Sequence, residues 1–257
     1  LQDAGYHTGM VGKWGLGDEG STGTPDQQGF DYFYGYLNHV HAHNHYPEFL
    51  WRNNKKEPLN NDVYSFKVKY NDFPAGIARL DGRNEYAGDL IFKEGVDYIE
   101  RNANKDKPFF LYLAPITPHA NGDASHVDWA HGMEVPSYGE YANKPWPDPQ
   151  KGLAAMIAHM DKGVGDILAK VKALGIEDNT IVVFSSDNGP HKEGGNIPEY
   201  FDSNGQYRGV KRDLYEGGIR VPMIVWSPSQ IAANQVSNHI GYFGDFMATV
   251  AQLAGVK

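Results

Sequence analysis

The arrangement of hydrophobic and polar positions predicts strands and helices in alternation. Short apolar runs, the typical pattern of buried strands, predict strands at residues 8–14, 107–116, 180–187 and 223–226. Apolar residues at helical spacing predict helices at residues 86–102, 151–173 and 246–255. Since the long second helix leads directly into a strand, we interpret the two as half of a βαβ unit. The chain is therefore predicted to be an α/β protein with a mainly parallel central sheet flanked by helices.

The clearest chemical signal lies at the end of the strand predicted at residues 180–187. The run from Ile181 to Phe184 is β-branched and aromatic, and it indicates a strand buried on both faces. Polarity then changes at once to Asp187 and Asn188. Open α/β sheets bind ligands at the carboxyl ends of central parallel strands, and a carboxylate beside an amide suits a hard divalent cation. The alternative interpretation is a plain Asn-Gly turn.

Polar groups also lie close to the other predicted strands. Lys13 is near the end of the first strand, His119 follows the second, and Lys211 is upstream of the last. Cations, an imidazole and metal ligands at one sheet edge suit a tetrahedral oxyanion ester. Each residue alone has an ordinary alternative, such as a snorkelling lysine or a loop histidine. Their shared position favours a common site.

Two loops are candidates for contact with a substrate. Residues 39–45 contain His39, His41, His43 and His45, a pattern that can bind metal but is more typical of a polar loop. Residues 120–150 lack periodicity and form the kind of long loop that often carries specificity. Residues 52–84 are polar, with an edge hairpin predicted around Val63–Tyr70.

Composition excludes several classes of protein and site. The 257-residue chain has a formal net charge of −9 and no block of Lys and Arg, which argues against a nucleic-acid partner. It has no cysteine, which excludes a thiolate metal site and a cysteine nucleophile within it. No apolar run approaches the roughly 20 residues of a membrane span. Because the chain opens in a turn and closes just after a helix, we expect it to be incomplete at both ends.

Five motifs, in this order, resemble the sulfatase family of the alkaline phosphatase-like superfamily. They are Gly12-Lys-Trp-Gly-Leu-Gly17, Gly29-Phe-Asp31, Pro118-His119, Asp187-Asn-Gly189 and, after Lys211, Tyr215-Glu-Gly-Gly-Ile-Arg-Val-Pro222. The resemblance covers nearly the whole chain and is closest to the arylsulfatase-like members. It implies that residues 1–257 are a partial sulfatase catalytic domain with the alkaline phosphatase-like fold.

The resemblance also implies roles for individual residues. Asp187 and Asn188 would bind calcium, with magnesium as the alternative ion. Lys13 and Lys211 would contact the sulfate oxygens, and His119 would contact the sulfate or help to protonate the leaving oxygen. The Glu-Gly-Gly turn is expected to be structural, with its two glycines supplying unusual backbone angles.

The sequence departs from the family pattern in two respects. Gly15 stands where many members carry a histidine at the sulfate site, and His39, His41 or His43 is expected to replace it in binding the substrate. The family's formylglycine nucleophile, made from a Cys/Ser-x-Pro-x-Arg motif, and its paired N-terminal aspartates are not found. Since both belong upstream of residues 1–17, we expect them in a missing N-terminal part and expect this chain alone to be inactive. A C-terminal subdomain is expected to be missing too.

Three functions are compatible with these features. The first is metal-assisted hydrolysis of a sulfate monoester, either a sulfated small molecule or a sulfated sugar. The second is hydrolysis of phosphate mono- or diesters by a member of the same superfamily. The third is binding of anionic sugars without catalysis. Family analogy implies an exported protein, periplasmic or extracellular, or a lysosomal one.

Overall fold

The computed structural model describes residues 1–68, 71–103 and 105–256. The strands in this part of the chain are β1 (His7–Lys13), β2 (Tyr32–Tyr36), β3 (Phe49–Arg52), β4 (Lys55–Pro58), β5 (Val63–Val68), β6 (Asn71–Ala78), β7 (Phe109–Ala114), β8 (Val182–Ser185) and β9 (Met223–Trp226). The α-helices are α1 (Ala87–Asn102), α2 (Asp148–Ala173), α3 (Glu216–Ile219) and α4 (Phe243–Leu253). The strands and helices predicted from the sequence are present, with ends that differ by a few residues.

A five-stranded mixed sheet forms the centre of the fold, in the order β4-β3-β2-β1-β7. β1 pairs in parallel with β2 and with β7, whereas β3 pairs antiparallel with β2 and β4. The predicted α/β class is therefore confirmed. The predicted edge hairpin is present as β5 and β6, which pair antiparallel. Residues 69 and 70 of that prediction lie outside the described residues.

The position predicted for the strand at residues 180–187 is wrong. β8 pairs antiparallel with β9 in a separate two-stranded sheet, and so it is not a central parallel strand. It is also not buried on both faces, because Ile181 and Val183 are each 37% exposed. A β-branched apolar run determines that a strand forms, but its partner depends on contacts between distant segments.

The two long helices, α1 and α2, cover one face of the central sheet. α1 packs directly on the sheet, where Ile91 joins the buried side chains of Val11, Tyr36 and Leu50. α2 packs mainly on α1. On the opposite face, a second apolar cluster contains Met10, Phe33, Leu37 and Trp51. Burial of such side chains stabilises the fold by about 1.5–3 kcal/mol each relative to exposure.

A close approach of backbones positions the end of β1. Gly12 has a φ of +117°, and a Cβ at this position would lie 2.0 Å from the carbonyl oxygen of Ala114 on β7. Only glycine fits such a conformation and spacing. Gly12 therefore allows β1 to run beside β7 up to Lys13, the last residue of the strand.

The C-terminal part of the described chain packs loosely. On α4, Phe243 is 61% exposed and Met247 is 84% exposed. None of the helices in the described part of the chain is long and apolar enough to cross a membrane.

Candidate active site

Lys13 and His119 lie at the same edge of the central sheet because their strands are parallel neighbours. Lys13 ends β1, and His119 follows β7 in a tight turn in which its backbone N–H donates to the carbonyl of Ile116 at 2.8 Å. Burial lowers the pKa of Lys13, the negative charge of Asp187 raises it, and the charge of Lys211 lowers it again. Lys13 is therefore within electrostatic reach of both Asp187 and Lys211.

The imidazole of His119 has two stacked neighbours and a hydrogen-bond partner at each nitrogen. The ring of His43 stacks on it at a centroid distance of 5.3 Å and an angle of 9°, and His191 stacks at 5.8 Å and 27°. Its Nδ1–H donates to the carbonyl of Ala120 at 2.6 Å, so Nε2 carries the lone pair. Burial lowers the pKa of His119, and the charge of Lys211 lowers it further, to about 3. His119 is therefore neutral at neutral pH.

Lys211 connects His119 to a carboxylate. Its Nζ donates to His119 Nε2 at 2.9 Å and to Glu193 Oε2 at 3.2 Å. Arg212 donates to the other oxygen, Oε1, of the same carboxylate at 2.5 Å. Burial raises the pKa of Glu193, but the charge of Lys211 and the hydrogen bonds from Arg212 and Lys211 outweigh it and hold this pKa at about 2. The carboxylate is thus ionised at neutral pH.

Asp187 and Asn188 follow β8 and offer a carboxylate and an amide oxygen. Asp187 is exposed, and among the described residues its carboxylate accepts no hydrogen bond. The Asn188 amide uses its Nδ2 to donate to the carbonyl of Gly189 at 2.9 Å, which leaves Oδ1 available. A carboxylate and an amide oxygen fit a hard cation such as calcium, which takes 6–8 oxygen ligands. No group of three or more His, Cys, Asp or Glu residues suited to a metal occurs in the described residues, so the two side chains alone do not complete a ligand set.

The Glu-Gly-Gly turn supports the Asp187–Asn188 loop. The backbone N–H of Gly189 donates to the carbonyl of Gly218 at 2.9 Å. Neither Gly217 nor Gly218 has a positive φ, so the expectation of unusual backbone angles is wrong. These glycines are needed for close approach instead: a Cβ at Gly217 would lie 2.0 Å from the carbonyl oxygen of Gly209. The turn is therefore packed backbone against backbone.

The structure separates the histidines of residues 39–45. His43 stacks on His119, and His45 donates from Nε2 to the carbonyl of His119 at 2.7 Å. His39 is exposed beside Gly15, where a Cβ at position 15 would lie 3.5 Å from the Cβ of His39. His41 is not brought to the cluster: its side chain is 3% exposed and faces Glu48 at 3.4 Å. Its buried position explains why it does not reach the site.

Sequence reasoning did not identify Glu193 and His191. Both lie in the loop at residues 190–209, which has no periodicity and has the polarity of an ordinary surface loop. The signal that could have identified them is their position in His191-Lys-Glu193, directly after Asp187-Asn-Gly-Pro190.

Sequence comparison relates the chain to named proteins. Residues 1–256 match the model of the Sulfatase family. Over its whole length the chain is 32% identical to N-acetylgalactosamine-6-sulfatase of Mus musculus, of which it covers 44%. It is also 30% identical to arylsulfatase G of Mus musculus, of which it covers 49%. The chain thus spans less than half the length of these curated relatives.

Solved structures confirm the fold. The crystal structure of Ps i-CgsB in complex with k-i-k-neocarrahexaose superposes with a TM-score of 0.76 at 26% identity, covering all of this chain and 52% of that one. The lipoteichoic acid synthase LtaP from Listeria monocytogenes has a TM-score of 0.56 at 16% identity, a likeness of fold alone. The fold is that of the alkaline phosphatase-like superfamily. Together with the match over residues 1–256, these findings show that the chain belongs to the sulfatase family.

Proposed function

We propose that this chain is part of the catalytic domain of a sulfuric ester hydrolase of the arylsulfatase-like type. The observation that carries the proposal is the contact of Lys211 with His119, together with the electrostatic effects of Asp187 and Lys211 on Lys13. Two ammonium groups beside a cation site suit the three oxygens of a sulfate group, whose charge they would stabilise. The names of the relatives, all sulfatases, support sulfate as the ester.

In this proposal, Asp187 and Asn188 hold a calcium ion, with magnesium as the alternative. When bound, the ion would neutralise charge on the sulfate oxygens and polarise the S–O bonds. Lys13 and Lys211 bind further sulfate oxygens. The family's formylglycine lies outside this chain, which contains neither a cysteine nor the motif that would carry it. We therefore propose that the chain alone is inactive.

The hydrogen bond between His119 and Lys211 bears on which group supplies the proton that the leaving oxygen needs. His119 is neutral, and its Nε2 accepts a hydrogen bond from Lys211, so the proton between these two nitrogens belongs to the ammonium. We propose that this pair supplies the proton to the leaving alkoxide, with Lys211 as its source. This refines the expectation that His119 contacts the sulfate or helps to protonate the leaving oxygen.

The proposed substrate class is based on the histidines beside the site and on one solved neighbour. We propose a sulfated sugar or sulfated small molecule, with His43 and exposed His39 in contact with it. The proximity of His39 to Gly15, whose φ of +78° itself favours glycine, supports this part of the proposal. The neighbour Ps i-CgsB, solved with a neocarrahexaose, supports a sugar ligand. Family analogy supports an exported or lysosomal protein.

Two substitutions in the full-length protein test the roles. Asp187→Ala is expected to weaken calcium binding and turnover together, because it removes the charged oxygen ligand. Lys211→Ala is expected to leave calcium bound and to lower kcat/KM by about 10²-fold or more, the usual effect of losing a charge-stabilising donor. Calcium titration by calorimetry and hydrolysis of 4-nitrophenyl sulfate measure the two quantities. Loss of calcium in Lys211→Ala with retention in Asp187→Ala would reverse the assignment.

The same assay separates the other functions. Preference for 4-nitrophenyl phosphate over the sulfate would favour the phosphate ester hydrolase. Binding of a sulfated oligosaccharide with no turnover of either ester would favour the non-catalytic sugar-binding chain. The identity of the full-length protein's nucleophile also discriminates, since an unmodified serine or threonine favours phosphoryl transfer.

A further inference from the structure

Glu193 is a charged group that the roles proposed above do not use. Its side chain is 20% exposed, and its two oxygens are divided between two cations. Oε2 accepts from Lys211 at 3.2 Å, and Oε1 accepts from Arg212 at 2.5 Å. Since Lys211 is 16% exposed and Arg212 is 73% exposed, the carboxylate has one partner in the site and one at the surface.

The ammonium of Lys211 has two acceptors, and Glu193 is the charged one. The other is the neutral Nε2 of His119, at 2.9 Å. A lysine side chain carries about 2 kcal/mol of rotamer entropy, so a single neutral acceptor is a weak anchor for it. A hydrogen bond to a charged group contributes about 1.5–3 kcal/mol, more than one between neutral groups. Glu193 is therefore the stronger of the two anchors.

The loop that carries Glu193 also contacts His119. The backbone N–H of Glu193 donates to Nδ1 of His191 at 3.2 Å, which leaves the Nε2–H of His191 to donate to the carbonyl of Pro118 at 3.1 Å. The ring of His191 in turn stacks on His119. Residues 191–193 thus contact both members of the Lys211–His119 pair, one through a ring face and one through a carboxylate.

We infer that Glu193 is a positioning residue that holds the Lys211 ammonium on Nε2 of His119, the arrangement in which Lys211 meets the sulfate ester. The inference rests on the proposed function for the meaning of that arrangement, but the contact itself does not depend on turnover. The competing explanation is structural: Glu193 would only tie the loop to Arg212 at the surface. If Glu193 positions Lys211, removing its charge acts through Lys211. If Glu193 only ties the loop to the surface, the effect acts through Arg212.

The kinetic test uses the full-length protein with 4-nitrophenyl sulfate as the probe. Glu193→Gln keeps the shape of the side chain and removes its charge, and it is expected to lower kcat/KM by about 10- to 100-fold, the loss of one charge-assisted hydrogen bond. Arg212→Gln, the matched control at the other oxygen, should stay within about 3-fold of the wild type. In a Lys211→Met background, Glu193→Gln should cause no further loss, because its effect runs through Lys211.

A spectroscopic test is independent of turnover. The ¹⁵N resonance of His119 Nε2 reports the hydrogen bond from Lys211. In Glu193→Gln it should move toward the position seen in Lys211→Met, whereas in Arg212→Gln it should stay at the wild-type position. Glu193→Asp, which keeps the charge, should lie between wild type and Glu193→Gln in both measurements.

The outcomes separate this inference from the proposed function. If the wild type does not hydrolyse the aryl sulfate, the proposed function fails, and the resonance of His119 still decides the role of Glu193. The inference is overturned if Glu193→Gln leaves that resonance unchanged. It is also overturned if Arg212→Gln reproduces the changes of Glu193→Gln, because the loop tie would then explain them.

Discussion

The contact between the two long helices allows a stability prediction in which one variant controls for another. Gly163 and Gly165 both lie in α2. A Cβ at Gly163 would lie 2.3 Å from the ring of Phe92 on α1, whereas a Cβ at Gly165 would have no heavy atom within 4 Å. Gly163→Ala and Gly165→Ala therefore change helix propensity equally, but only the first adds a steric overlap.

The expected magnitudes follow from these two contributions. Alanine is better than glycine in a helix interior by about 1 kcal/mol, so Gly165→Ala should raise the free energy of unfolding by about that amount. At Gly163 the new Cβ would lie within 2.5 Å of three ring atoms of Phe92, a buried side chain with 7% exposure. Overpacking of this kind costs about 1–3 kcal/mol. Because the propensity gain is common to both variants, Gly163→Ala should be about 1–3 kcal/mol less stable than Gly165→Ala.

Urea unfolding followed by circular dichroism at 222 nm measures this difference. In thermal unfolding, it corresponds to a melting temperature about 2–4 °C lower per kcal/mol for a chain of this size. Equal stability of Gly163→Ala and Gly165→Ala would refute the close packing of α2 on Phe92. A loss of stability in Gly165→Ala would refute the assignment of that position to an open helix face.

Two further predictions concern charged groups. As pH falls from 6.5 toward 5, His119 becomes protonated in the unfolded chain. In the folded chain it stays neutral, because its pKa is lowered to about 3, so the free energy of unfolding should fall. In His119→Gln this slope should be smaller by about 1.4 kcal/mol per pH unit, measured by urea unfolding at several pH values, and an unchanged slope would contradict the prediction. Glu94, 7% exposed, accepts from Arg52, Arg101 and Tyr32, and Glu94→Gln should cost about 2 kcal/mol in the same assay. Glu57→Gln, at an exposed carboxylate that also contacts Arg52, should cost under about 1 kcal/mol, and equal costs would argue against the burial effect.

Local patterns were sufficient to predict most elements of the fold. The runs that form β1 and β7 and the spacing that forms α1 and α2 are properties of contiguous residues, and each appeared where it was predicted. The partner of β8 could not be predicted in this way. A run of β-branched residues is compatible with a central or a peripheral strand, and only long-range pairing distinguishes the two. The same limit explains why the exposed face of β8 was missed.

Prediction of the site depended on whether a residue stood at the end of a regular element. Lys13 and His119 follow strands that are parallel neighbours, so their shared edge was predictable from strand order. His43 and His41 belong to one sequence pattern, yet one stacks on His119 and the other is buried against Glu48. Both lie in a short 3₁₀-helix, His41–His43, which points their side chains in different directions, and the alternation of histidines does not predict that helix. Glu193 lies in a loop, where its contacts depend on the position of Lys211.

The presence of Glu193 beside the lysines also bears on how the site attracts an anion. The chain has a net charge of −9, so its overall field repels a sulfate ester, and attraction has to come from local cations. Glu193 reduces that attraction, because it places an ionised carboxylate 3.2 Å from Lys211. Such a group is useful if positioning Lys211 matters more than adding net positive charge. Catalysis favours this arrangement, since a donor fixed before the substrate arrives requires no reorganisation when charge develops on the leaving oxygen. A site that only bound anions would gain from losing Glu193, and so tighter sulfate binding with slower turnover in Glu193→Gln is the pattern expected of an enzyme.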